Sequence, residues 1–148
     1  MRNLRACLVA IFLLLCVVPV PSRVAHADAV HTWNITANEI VVAAKLPPPP
    51  AYRVMALLQT AVYEAVNAVT KRYPSNGVSV DAAPGASVET AVAAANRAVL
   101  STLIPSQRTA IDSAYQAALS GIPAGAGRAE GIAVGEKAAA AVLALRGD

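Results

Sequence analysis

After Ala27 the sequence contains no cysteine and no phenylalanine, and its one histidine there is His31. Without cysteine, this part of the chain can form neither a disulfide bond nor a thiolate site. With a single histidine it cannot assemble a mechanism that needs two imidazoles. Asp28 beside His31 could bind a metal only weakly, because a metal site needs three or four ligands that are held rigidly. We therefore interpret His31 as a tail residue.

An excess of positive charge is also missing from most of the chain. The sequence has 12 Lys and Arg residues against 9 Asp and Glu residues. Arg2, Arg5 and Arg23 precede Ala27, whereas all nine acidic residues follow it, so residues 28–148 are formally neutral. The excess of basic over acidic residues therefore lies in residues 1–27, and it does not indicate a nucleic-acid partner.

Residues 1–27 have the features of a secretory signal peptide. Arg2 and Arg5 give a positive start, residues 6–20 are apolar, and Ala25-His26-Ala27 fits a cleavage site. The apolar run is short for a membrane span, and an uncleaved membrane anchor is the alternative. We predict cleavage after Ala27, a secreted or periplasmic protein, and no membrane attachment after cleavage.

The spacing of apolar residues in 28–148 predicts one all-α domain, with about five helices in an alanine-rich bundle and no strands. The predicted helices cover about 32–44, 50–70, 88–103, 105–120 and 126–145. Ser87 is the expected N-cap of the third helix. In the first helix, the expected apolar set is Ile35, Ile40, Val41 and Ala44. In the fourth helix, it is Ile111, Ala114, Tyr115, Ala118 and Ile122.

The stretch from Leu46 to Val69 is the most distinctive part of the sequence. Pro47 to Pro50 predict a stiff extended link, with Pro50 able to serve as the first helical residue. One face of the following helix carries Val54, Leu57, Leu58, Ala61, Val62, Ala65 and Val69, and the opposite face carries Tyr52, Ala56 and Tyr63. A helix that is apolar on nearly all sides is usually buried on nearly all sides. We therefore predict a central helix that needs partners on more than one side.

Three glycines in the fifth helix fall four residues apart, at Gly127, Gly131 and Gly135. In a membrane this spacing would indicate a dimer face, but the charged residues around it argue against a span. We predict close backbone packing against a neighbouring helix. The expected buried face is Gly131, Val134, Ala138, Val142 and Leu145.

Four segments together resemble the vanadium-dependent haloperoxidase and type 2 phosphatidic acid phosphatase superfamily. They are the proline-led helix of 46–69, Trp33-Asn34, Leu103-Ile104-Pro105-Ser106-Gln107-Arg108, and Gly131-Ile132-Ala133-Val134-Gly135-Glu136-Lys137-Ala138-Ala139. The likeness covers residues 28–146. It implies an exported bacterial protein of which these helices form the N-terminal part.

The resemblance also implies a vanadate or phosphate site that this sequence does not contain. The family binds the oxyanion with K-x6-R-P, P-S-G-H and S-R-x5-H segments, whose Lys, Arg, Ser and Gly groups hold it while two histidines do the chemistry. None of these segments occurs here, and Ser22-Arg23 lies within the predicted signal peptide. We therefore expect residues 28–148 to be a truncated, inactive scaffold with no catalytic, cofactor-binding or metal-binding residue. Vanadate is implied only for the full-length family, and the missing C-terminal catalytic half is the expected partner.

Two alternatives stay open at this point. The chain could be a complete, non-enzymatic secreted helical module that binds a partner or self-associates through apolar helix faces. It could also be a decayed relative that never folds stably. Of the remaining polar residues, Glu64 and Asn67 are interpreted as buried hydrogen-bonded partners for a neighbouring helix end. Arg53 and Arg97 are interpreted as solvated or salt-bridged residues at an edge.

Overall fold

The computed structural model describes residues 25–75 and 77–146, and within those ranges the chain is all-α. The helices are α1 Ala25–Ala43, α2 Pro48–Thr70, α3 Val88–Leu103, α4 Arg108–Ser120 and α5 Ala126–Arg146. A 3-10 turn, Pro105–Gln107, precedes α4. The prediction of about five helices and no strand is confirmed for the described residues.

One end of the bundle collects several helix ends. Residues 44–47 join the end of α1 to the start of α2. Leu103, at the end of α3, lines a groove together with Pro49 and Pro50. The Arg53 guanidinium donates to the carbonyl oxygen of Arg146, at the end of α5, at 2.7 Å. We call this region the proline end.

The centre of the bundle is α3, which packs against each of the other four helices. Its buried residues are Val88, Thr90, Ala91, Val92, Ala93, Ala94, Ala95, Asn96, Val99 and Leu100. Alanine side chains let neighbouring helices approach closely on several sides at once. The prediction that α2 is central is wrong. The expected partners on more than one side are present, since α2 packs against α1, α3 and α5, but its Tyr52, Ala56 and Tyr63 face is exposed.

The start of α2 lies two residues before the predicted one. Pro47 has φ −59° and ψ 155°, which is extended, but Pro48, Pro49 and Pro50 occupy the first helical turn. The first helical hydrogen bond runs from the Ala51 amide to the Pro47 carbonyl at 3.1 Å. Proline is compatible with this turn because the first amides of a helix have no partner within the helix.

The first helix also begins earlier than predicted, at Ala25. The predicted signal peptide, residues 1–27, lies outside the described residues except for Ala25, His26 and Ala27, which are in the first turn of α1. Ile40 and Val41 are buried as predicted, and Trp33 and Ala37 join them in the core. The prediction that Ile35 is buried is wrong, since half of its surface is exposed.

The predicted glycine contact is present between α3 and α5, which run in parallel. A Cβ atom on Gly127 would lie 2.6 Å from the Gly85 carbonyl oxygen. A Cβ atom on Gly131 would overlap the Thr90 hydroxyl and the Ser87 carbonyl, and one on Gly135 would overlap the Ala91 carbonyl. Only hydrogen fits at these points, so the two backbones are in direct contact.

At the far end of α5 the prediction of a buried Leu145 is wrong, because 61% of that residue is exposed. Leu145 lies in the last turn of α5, and the extra length of α5 lies at its other end, where Gly127 meets Gly85 before α3 begins. In α4, Ile111 and Tyr115 are buried as predicted, and Leu119 joins them.

Among the described helices, none combines the length and the hydropathy needed to cross a bilayer.

Candidate functional site

A polar cleft lies beside the last turns of α2 and the loop that follows. Its volume is about 210 Å³. The lining residues are Glu64, Asn67, Ala68, Lys71, Tyr73, Ser75, Val78, Ser79 and Val80. Glu64 is 97% buried, in keeping with its interpretation as a buried polar residue. Lys71 ends α2 in the left-handed region, with φ 51°.

Asn67 holds the loop against α2. Its amide nitrogen donates to the Tyr73 carbonyl at 2.6 Å, and its side-chain oxygen accepts from the Tyr73 amide at 2.9 Å. The Tyr63 hydroxyl donates to the Pro74 carbonyl at 2.8 Å, and the Ser75 hydroxyl donates to the Val78 carbonyl. These groups are engaged in fixing the loop. Asn67 is buried and hydrogen-bonded as predicted, but its partner is the loop after its own helix and not a neighbouring helix end.

A second polar group joins α3 to α4. The Arg97 Nε donates to the Asp112 Oδ1 at 2.8 Å, and the Arg108 Nε lies 3.8 Å from the Asp112 Oδ2. The Arg97 guanidinium also lies 4.9 Å from the centroid of the Tyr115 ring. The hydrogen bond to Asp112 raises the pKa of Arg97, and burial raises the pKa of Tyr115. The interpretation of Arg97 as a salt-bridged edge residue is confirmed.

Two buried polar residues of α3 were not singled out from the sequence. The Thr90 hydroxyl lies 3.1 Å from the Ser87 carbonyl and 3.2 Å from the Arg128 carbonyl, so it links the start of α3 to α5. The Asn96 amide nitrogen donates to the Val92 carbonyl at 2.8 Å. A Thr or Asn within an alanine-rich helical stretch was the signal available, because buried polar side chains in such positions bond to nearby carbonyls.

Metal-ligating side chains do not gather in the described part of the chain. No three His, Cys, Asp or Glu residues there are placed to hold a metal ion. His31 is exposed on α1. Neither polar group described above contains a histidine or a cysteine.

The proline end differs from the two polar groups in being apolar and open. A groove of about 420 Å³ is lined by Leu46, Pro49, Pro50, Arg53, Val54 and Leu103. Tyr52, on the face of α2 opposite Val54, is 74% exposed, and the exposed Leu145 precedes the residue whose carbonyl binds Arg53. Val42, in the last turn of α1, is 67% exposed. A concave apolar surface with protruding side chains is typical of a contact site for another molecule.

Comparison with known proteins finds no family model, no curated protein and no solved structure that matches this chain.

Proposed function

We propose that residues 28–148 are the non-catalytic helical scaffold of an exported protein that resembles vanadium-dependent haloperoxidases and the related acid phosphatases. The single observation that carries the proposal is the open apolar surface at the proline end. A scaffold keeps its own interior closed and leaves one face for the polypeptide that it supports, and this bundle has both properties.

The closed interior supports the same interpretation. α3 is surrounded by the other four helices, and glycines of α5 lie directly against its backbone. Such a centre holds helices in fixed positions but leaves no room there for a substrate. The oxyanion-binding segments that the resemblance implies would then belong to the supported part and not to these helices.

The proposal is tested by assaying the purified chain with vanadate, bromide and hydrogen peroxide, and separately with a phosphate monoester. We expect no halogenation and no phosphate release above a blank without protein, while an active haloperoxidase and an acid phosphatase serve as positive controls. Turnover that depends on this chain would refute the scaffold role. Sequencing the nucleotides after the last codon tests the family part, which predicts P-S-G-H and S-R-x5-H segments there.

The second candidate is a complete, secreted, non-enzymatic module that binds a partner or itself. The same open surface favours it, because a module of this kind also needs an uncovered apolar face. The glycines at 127, 131 and 135 are already used against α3 and Gly85, so self-association would have to use other faces. Sedimentation equilibrium distinguishes a dimer from a monomer, and a stop codon without downstream segments would favour this candidate over the first.

A further inference from the structure

The outer side of the α1–α2 pair carries two rows of exposed residues with the same spacing. In each helix the members of a row recur at steps of four, three and four residues, which places them on one side of the helix. On α1 the row is His31, Ile35, Asn38 and Val42, all of them exposed. On α2 the row is Tyr52, Ala56, Gln59 and Tyr63, in which Gln59 is half-buried and the others are exposed. We call the two rows together the α1–α2 face.

The two rows lie side by side along the seam between the helices. The Gln59 amide nitrogen donates to the Asn34 side-chain oxygen, which joins α2 to α1. Asn34 and Gln59 lie at similar distances from the short link of residues 44–47, so the two helices are antiparallel neighbours. The same alignment brings Val42 level with Tyr52. The two rows therefore form one continuous surface.

Neither row of the α1–α2 face contains Asp, Glu, Lys or Arg. The exposed charges that border the rows on these helices are Glu39 and Arg53, and they have opposite signs. Lys45, Lys71 and Arg72 follow the helix ends, beyond the last member of each row. The face therefore lacks the charge of one sign that would favour an acidic or a basic partner.

We propose that the α1–α2 face is a self-association surface, on which a second copy of this chain packs its own α1–α2 face about a two-fold axis. Copies related in this way present the same patch to each other, so two rows without charge meet two rows without charge and no like-charge repulsion opposes them. The inference goes beyond the scaffold role, which rests on the proline end. It also names the face that a self-associating module would use.

The exposed apolar area of the face fits a small dimer interface. The exposed fractions of its large apolar residues are 50% for Ile35, 67% for Val42, 74% for Tyr52 and 37% for Tyr63. The two tyrosines together expose about 200 Å², and the two aliphatic residues add about 100 Å². The smallest stable interfaces bury about 600 Å² per partner, of which about 340 Å² is apolar. These four side chains therefore supply most of the apolar area that such a dimer needs.

Other occupants fit the α1–α2 face less well. An acidic or basic peptide would find no opposite charge on either row. An anionic bilayer attracts faces that are rimmed by lysine and arginine, and the two rows contain neither. Tyrosine, by contrast, is enriched at contacts between proteins, where it combines a large apolar ring with a polar tip. Peptide and bilayer binding become outcomes of the experiments that follow.

The first test is sedimentation equilibrium of the chain, purified after export, from about 1 μM to about 500 μM. We expect a monomer–dimer equilibrium with a Kd on the order of micromolar or weaker, because the interface is at the small end of the stable range. Raising the salt concentration should not weaken the dimer, since no exposed ion pair holds it.

Matched variants locate the surface. Ile35→Glu and Tyr52→Glu each place a carboxylate in the face of both copies and should raise the Kd about ten-fold or more. Ala117→Glu and Ala140→Glu place the same carboxylate on the exposed sides of α4 and α5, and they should change the Kd less than about two-fold. Circular dichroism checks that every variant keeps its helices.

Cross-linking gives an independent measurement, because the sequence has no cysteine after Ala27. Ala56→Cys introduces one thiol near the middle of the face, and Ala117→Cys introduces one on the exposed side of α4 as the control. A flexible bis-maleimide should convert Ala56→Cys into covalent dimer much faster than Ala117→Cys at the same concentration. Addition of Tyr52→Glu to Ala56→Cys should abolish that difference.

Several results would overturn the inference. They are a monomer at every concentration, equal effects of the test and control variants on the Kd, equal cross-linking at the two cysteines, and binding to phosphatidylglycerol vesicles or to charged peptides without a dimer. None of these results depends on vanadate chemistry. A failed α1–α2 face therefore leaves the absence of turnover intact, and turnover would refute the scaffold role whether or not the chain dimerises.

Discussion

Replacing Gly135 with alanine tests how closely α3 and α5 must approach for this bundle to be stable. A Cβ atom there would lie 2.8 Å from the Ala94 Cβ and 2.9 Å from the Ala95 amide nitrogen, and it would overlap the Ala91 carbonyl oxygen. Two of these neighbours are backbone atoms of the central helix, and they cannot turn away as a flexible side chain can. The whole of α5 must therefore move outwards to admit one methyl group.

Two effects of opposite sign determine the size of the change. Alanine favours a helix over glycine by about 1 kcal/mol. Overpacking a tight contact costs about 1–3 kcal/mol and sometimes more, and contact with rigid backbone places Gly135 in the upper part of that range. We expect the free energy of unfolding to fall by about 1–2 kcal/mol as the difference between them. For a bundle of this size, Tm should fall by roughly 3–6 °C for each kcal/mol.

The measurement is urea unfolding monitored by the helical circular dichroism signal. The slope of unfolding free energy against urea concentration should be the same in the variant and the wild type. Gly121→Ala is the matched control, because its Cβ would meet no atom within 4 Å, and its stability should stay within about 0.5 kcal/mol of wild type. Ala140→Gly, on the exposed side of α5, measures the helix-propensity contribution alone and should cost about 1 kcal/mol. If Gly135→Ala is as stable as wild type or more so, the two helices do not need this close contact, and our account of the core is wrong.

Three further predictions concern single side chains. Asn67→Ala removes both hydrogen bonds to the Tyr73 backbone and should cost about 1–3 kcal/mol, with faster hydrogen exchange in residues 71–80; unchanged exchange would contradict it. Ser87→Ala removes the acceptor for the Thr90 amide and should cost about 1 kcal/mol in urea unfolding, whereas Ser87→Gly should cost only a few tenths. Desolvation raises the pKa of Tyr115, so its contribution to stability is complete below the ordinary value of 10.0 and is lost as pH rises through the raised pKa. Tyr115→Phe should remove that alkaline loss from Tm measured against pH, and an identical profile would refute it.

Local chemistry in the sequence was sufficient to predict the elements themselves. Ser87 accepts a hydrogen bond from the Thr90 amide at 3.2 Å, which is the N-cap expected from a hydroxyl before an apolar-periodic stretch. The glycine spacing in α5 predicted backbone contact, because the only compensation for glycine inside a helix is a neighbour that needs the space. These signals act over a few residues, so they can be identified without knowing the fold.

These local signals could not predict which helix is the most deeply buried. Because α2 is apolar on nearly all sides, it was expected at the centre, yet its Tyr52 and Tyr63 face is exposed. The alanine-rich α3 is instead surrounded by the other helices. Periodicity measures how apolar each face is, but not how closely a neighbour can approach it. An alanine-rich helix buries little area per side chain and still becomes the centre, because it admits helices on every side.

By itself the sequence determined that residues 25–75 and 77–146 are largely helical, and it placed both ends of four of the five helices described there to within a few residues. It also determined that histidine and cysteine are too few after Ala27 for catalysis based on them. Only the tertiary structure decided that α3 is the central helix, that Asn67 fixes the loop after α2, and that Val42, Tyr52 and Leu145 are left exposed at one end. The reason is that helix formation depends on neighbours along the chain. Burial depends on which helix ends meet in space, and no stretch of residues carries that information alone.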